Sequence, residues 1–129
     1  MQKIYADTKV CIIGNGTHSK RIQNILKKKR ISFFIYKPKS KLSYKKKNLN
    51  DLKKFKYVFI ITPNNTHTHY IEQLCKRSFI FCEKPPTNNL EDLKKLQKIN
   101  SDRIYFNYNY RFCKIAEILK DRKKYKLGK

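Results

Sequence analysis

The sequence predicts an α/β fold, a doubly wound parallel sheet in three α/β/α layers. Three observations predict it. Short apolar runs that read as strands alternate along the chain with segments whose apolar residues recur at helical spacing. Those runs are nearly continuous in Val, Ile, Phe and Cys, the pattern of parallel strands buried between helices. Several of them end in unusual polar clusters, and in a parallel sheet such ends share one rim, where ligands bind.

The elements follow in order. "VCII" (10–13) is a first strand, "GNG" (14–16) a tight turn, and Ile22, Ile25 and Leu26 mark the helix after it. "ISFFIY" (31–36) is a second strand, and the basic segment to Lys47 has room for a short strand at "LSY". "NDLKKF" (50–55) reads as a brief helix and "YVFIIT" (57–62) as a strong strand. "NTHTHYIEQLCKR" is helical, with Ile71, Leu74 and Cys75 on one face. "FIFC" (79–82) is the next strand, and its Phe79, Ile80 and Phe81 suit a sheet covered on both sides. "NNLEDLKKLQKI" is a helix with an Asn cap and acidic residues in its first turn. "RIYFNYN" is a last strand and "IAEILKDRKK" a final helix.

Composition narrows the function classes. With 129 residues, 40% of them hydrophobic, the chain supplies one core and is not disordered. No apolar run is long enough to cross a bilayer, and Met1 to Lys9 is not a signal peptide, so no membrane partner is expected. Four cysteines without a CxxC pair point to a reduced, cytoplasmic protein. The formal net charge of +23 would suit a nucleic-acid binder. Yet the lysines are spread over every loop and helix surface, and Asn, Ile, Tyr and Phe are inflated with them, the bias of an AT-rich coding sequence. No recognition motif accompanies the charge, so no specific nucleic acid is expected.

The polar clusters carry the chemistry. "GNGTHS" matches GxGxxG in Gly14 and Gly16, with Ser19 in the third place. Such glycines permit a tight turn and the close approach of a pyrophosphate to a helix N-terminus, which places Thr17 and His18 beside it. With the strand-turn-helix context, this makes the fold Rossmann-type and the expected ligand a dinucleotide, NAD or NADP. The carboxylate that would meet a ribose hydroxyl at the end of the second strand is absent, since residues 8 to 50 contain no Asp or Glu. Lys37 and Lys39 stand there instead, and a cation in that place favours the 2′-phosphate of NADP. "TPNNTH" brings Pro63, Asn64 and His67 to a helix start, where Asn64 and Asn65 serve equally as caps. His67, His69, Cys75 and Cys82 lie too far apart along these elements for one tetrahedral site, so no metal is expected. Cys11 and Cys82 read as small core residues.

"TPNNTH", then "FCEKPPT", then "YNYRF", with "GTHSKR" in the first turn, resemble the Gfo/Idh/MocA family of dinucleotide-dependent oxidoreductases. The resemblance implies that Thr62, Pro63, Asn64 and Glu83 border the cofactor. It implies that Lys84 lies near the nicotinamide and the reacting carbinol, as the catalytic cation. It places Arg111 where a first domain hands over to a second. It further implies a dinucleotide-binding domain over residues 1–111 and, over 112–129, a connecting helix into a C-terminal substrate domain that this short chain lacks. The family substrate would be a sugar, inositol or related polyol, with catalysis needing the second domain. An apolar edge left by that domain would favour self-association. Two other readings are a non-catalytic dinucleotide-binding or interaction module and a basic nucleic-acid binder.

Overall fold

The structure is a computed structural model and describes residues 8–38 and 49–108. Five parallel strands form one sheet: β1 (Val10–Ile13), β2 (Phe33–Tyr36), β3 (Tyr57–Ile60), β4 (Phe79–Cys82) and β5 (Ile104–Phe106). Their spatial order is β2-β1-β3-β4-β5. The order reverses between β1 and β3, so the crevice at their carboxyl ends is the topological switch point of the sheet. Among the described residues three helices connect the strands: α1 (Thr17–Lys28), α2 (His67–Leu74) and α3 (Leu90–Lys98). This is the Rossmann-type α/β fold that the sequence predicts. The strand expected at "LSY", the helix expected at "IAEILKDRKK" and residues Lys39 and Arg111 lie outside the described residues.

Alternate residues of β1, β2 and β3 feed two cores, as the pleat requires, whereas β4 and β5 feed one. Cys11, Ile13, Val58, Ile60, Ile80 and Cys82 face α2, where Tyr70, Ile71 and Leu74 pack with Leu49, Leu52 and Phe55. Leu96 and Ile99, at the end of α3, close the same side. Val10 and Ile12 face the other way, against Ile22 and Leu26 of α1. Strand β1 is central and covered on both sides, so its four residues are all buried. Burial pushes the Cys11 thiol up to about 12, helped against by the Tyr36 backbone and Lys54, and raises the Cys82 thiol as well. Both thiols are core groups rather than nucleophiles.

Three expectations change. Phe79–Cys82 is covered on one side only among the described residues: Ile80 and Cys82 are buried, whereas Phe81 is 41% exposed. The reason is that α2 and α3 both pack on the Ile80 side, while α1 sits over β1 and reaches no further than Phe59 and Ile61. Phe81 instead stacks between Phe59 and Tyr105, at ring-centroid distances of 5.2 and 5.4 Å. On α1, Ile25 is 50% exposed, and the stripe facing the sheet is Ser19, Ile22, Gln23 and Leu26. Two polar residues thus occupy positions that an apolar-only pattern passes over. The brief helix expected over 50–55 is a single 3₁₀ turn, Asn50–Leu52.

Candidate functional site

The ladder hydrogen bonds run on past the strands and hold the rim in register. Gly14 N–H donates to the Tyr36 carbonyl, Ile61 N–H to Ile13, Glu83 N–H to Ile60 and Asn107 N–H to Cys82, at 2.9, 2.9, 3.1 and 2.9 Å. The turn after β1 is therefore bound to the end of β2, and the segments after β3, β4 and β5 each to the strand beside them.

In the first turn, Gly14 has φ +112°, and a Cβ there would overlap the carbonyl oxygen of Ile61. Backbone angle and close approach both require glycine at this position. Gly16 differs: its φ is −75°, and a Cβ would meet no atom within 4 Å. Helix α1 starts at Thr17 with no side-chain cap on its amides and no acidic residue in its first turn. Ser19, in the third place of the glycine motif, is fully buried and donates from Oγ to the Gly14 carbonyl at 2.9 Å. Gln23 in turn donates to Ser19 Oγ at 3.0 Å and to Asn15 Oδ1 at 3.2 Å. The serine fits the close helix–strand packing and adds a tether that glycine lacks.

After β3, Thr66 Oγ1 donates to the Pro63 carbonyl at 2.7 Å, so the 2.7 Å contact between the two hydroxyls has Thr62 as donor. Helix α2 begins without a side-chain cap, and so does the 3₁₀ turn Asn64–Thr66 before it. His67 is buried beneath this turn, with Nε2 2.9 Å from the Thr62 carbonyl and Nδ1 3.1 Å from the Pro85 carbonyl. One imidazole thus sits between the carbonyls of the segment after β3 and the segment after β4, where the Lys84–Pro85 peptide is cis.

These segments enclose a cavity of about 670 Å³ at the switch point. Gly14, Gly16, Thr17, His18, Thr62, Pro63, Glu83 and Lys84 line it, all of them residues the sequence singles out. His67 supports the wall from behind, and neither Asn64 nor Lys37 lines the cavity. Asn65 and Pro38, their chain neighbours, do. Glu83 receives His18 Nε2 at 2.7 Å and Asn107 Nδ2 at 2.9 Å, both on Oε1. Lys84 is exposed beside it. Among the described residues no three His, Cys, Asp or Glu side chains stand together to hold a metal ion, and no helix is long and apolar enough to cross a membrane.

Sequence reasoning missed Asn107. It is one polar residue in an aromatic run, and its partner Glu83 lies 24 residues earlier, so only the pairing of β4 with β5 brings them together.

The chain's own residues fit a dinucleotide. An uncapped helix start, a glycine turn with open space at Gly16 and a cavity spanning the switch point suit a pyrophosphate and the two groups it joins. Fold and site define a dinucleotide-binding α/β domain. The family model described as the oxidoreductase family, NAD-binding Rossmann fold, matches residues 10–103. The chain belongs to that family, Gfo/Idh/MocA, and the matched residues are its NAD-binding domain. A comparison with curated protein sequences gives no match. Among solved structures the chain is similar to the WlbA (WbpB) dehydrogenase from Thermus thermophilus, crystallised with NAD and UDP-GlcNAcA. The identity is 19% and the TM-score 0.58, over 89% of this chain and 46% of that one. The likeness is one of fold, and this chain spans about half the length of that dehydrogenase.

Proposed function

We propose that this chain binds NAD(P) in the 670 Å³ cavity, as the cofactor domain of an oxidoreductase acting on a sugar, inositol or polyol-type substrate. The observation that carries the reading is convergence. The glycine turn, the Thr62–Pro63 segment and the Glu83–Lys84 turn come from three separate strands and meet at one switch point. The cofactor, when bound, supplies the hydride chemistry of the family. The amides at the start of α1 hold the pyrophosphate, and Gly16 lets it approach the backbone. Thr17, Thr62, Pro63 and Asn65, which line the cavity, border the cofactor, with Asn64 beside them in the 3₁₀ turn. Lys37 lies at the end of β2, where a ribose is met, and favours NADP there. His67 packs between two rim segments, and a neutral ring donates its one N–H to the carbonyl of one of them.

Lys84 is the residue placed to act on substrate. Its ammonium can donate to a substrate oxygen, or exchange a proton with a substrate hydroxyl, once a ligand covers the rim. A cation in an open crevice is solvated and orients nothing, so turnover needs a second, substrate-binding domain beyond residues 1–111, with Arg111 at the junction. The partly exposed stack of Phe81 and Tyr105 supplies an apolar surface for self-association until it is covered.

The test is a titration with NADPH, NADH and a DNA duplex at physiological salt. Saturable binding of either dinucleotide supports this reading. Binding of the duplex alone would replace it with the basic nucleic-acid reading.

A further inference from the structure

Glu83 stands in the wall between two cavities. One is the large cavity at the switch point. The other, of about 240 Å³, is lined by Ile22, Phe59, Phe81, Tyr105 and Asn107 as well as Glu83. A carboxylate on a rim turn would ordinarily sample several rotamers in water. Here two donors from two other elements meet on the same oxygen: His18 Nε2 from the first turn of α1 and Asn107 Nδ2 from the end of β5. Asn107 is itself fixed, because its backbone N–H extends the ladder to the Cys82 carbonyl. The result is a carboxylate held by two elements at Oε1, whose Oε2 has no hydrogen-bond partner among the described residues. A carboxylate only accepts, so His18 donates from Nε2, and in the neutral imidazole its Nδ1 is left as a second acceptor.

We propose that Asn107 is a positioning residue for the dinucleotide: it clamps Glu83 so that Glu83 Oε2 and His18 Nδ1 are presented as acceptors to the nicotinamide-riboside half. This rests on the proposed NAD(P) reading and assigns within it a residue outside the cofactor-lining set. The direction follows from the topology. The pyrophosphate sits at the start of α1, and the adenosine ribose lies at the end of β2, on one side of the switch point. The other half of the ligand extends to the opposite side, towards β3 and β4, where Glu83 lies. That half carries hydroxyl and carboxamide donors, which two fixed acceptors recognise. Without Asn107 the carboxylate keeps its charge but loses one of the two bonds that hold it, so the loss should appear only for ligands reaching Glu83.

The experiment is calorimetric titration of the wild-type chain and of Asn107→Leu and Asn107→Asp with NAD and, separately, with ADP. ADP keeps the adenosine and pyrophosphate and lacks the nicotinamide half, so it also reports whether each variant is folded. The expected result is a loss of about tenfold in NAD affinity in both variants, the scale of one hydrogen bond to a charged group, with ADP affinity within about twofold of wild type. NAD and ADP falling together would make Asn107 a merely structural residue and overturn the proposal. So would unchanged NAD affinity. Wild-type protein that takes up ADP but not NAD would also overturn it. Wild-type protein that takes up neither would instead remove the reading of the site itself, and this proposal with it.

Discussion

His18 Nε2 lies 2.7 Å from Glu83 Oε1, a contact between residues 65 positions apart in the chain. It joins the turn after β1 to the turn after β4 across the sheet's switch point. Because the carboxylate accepts, neutral His18 should carry its proton on Nε2. Nitrogen-15 spectra of the imidazole should show that single tautomer, and Glu83→Gln should give a mixture, since an amide can donate as well as accept. A mixture already present in the wild type would contradict the pairing. Both side chains are partly exposed, at 43% and 22%, so the contact should matter little for stability and chiefly for the shape of the cavity.

The two glycines of the first turn should separate stability from binding. Gly14→Ala forces a Cβ into the Ile61 carbonyl at a φ that disfavours side chains, and should cost at least about 2 kcal/mol of folding stability. Gly16→Ala meets open space at an ordinary φ and should change stability by no more than about 0.5 kcal/mol. It should still weaken dinucleotide binding, because the added methyl stands where the pyrophosphate approaches. Thermal melts and NAD titrations of the two variants check both halves. Equal melting temperatures for the pair would contradict the structure of the turn.

Cofactor choice should follow the charge at the end of β2. NADPH is expected to bind more tightly than NADH, and Lys37→Glu combined with Lys39→Glu should abolish the difference. Equal affinities in the starting protein would remove the role assigned to these lysines.

The buried thiols predict a pH limit. The Cys11 thiol is raised from 9.0 to about 12 by burial, so below pH 9 both the folded and unfolded states hold its proton. Above pH 9 the unfolded chain loses that proton first, and folding stability should fall between pH 9 and about 12. Urea melts of wild type against Cys11→Ala should show a steeper alkaline decline in the wild type. The same burial should keep Cys11 from reacting with iodoacetamide at pH 8 while the chain is folded.

The +23 charge should produce only weak, sequence-independent association with DNA. That binding should collapse by ~200 mM salt, because scattered lysines contact phosphates and read no bases. A sequence-preferring complex surviving that salt would restore the nucleic-acid reading.

The strands and the glycine turn were determined by sequence alone. Val10–Ile13, Tyr57–Ile60 and Phe79–Cys82 are apolar runs bounded by breakers, a signal local enough to need no fold. The rim was legible for the same reason: in a parallel sheet, whatever follows a strand lands on one edge. Other features depend on which strands pair and where each helix falls, and these only the tertiary structure decided. Phe81 follows a buried isoleucine in an unbroken apolar run, yet its side is open because α1 spans β1 and the next helices pack opposite. Ser19 and Gln23 are polar residues facing a sheet, made tolerable by the hydrogen bonds they exchange with the turn. Pro38 and Asn65 line the cavity where Lys37 and Asn64 were expected, because the lining depends on how the segments after β2 and β3 cross the rim, which one strand's pattern does not encode. Asn107 meets Glu83 because β5 pairs with β4, a register that no local pattern in the chain encodes.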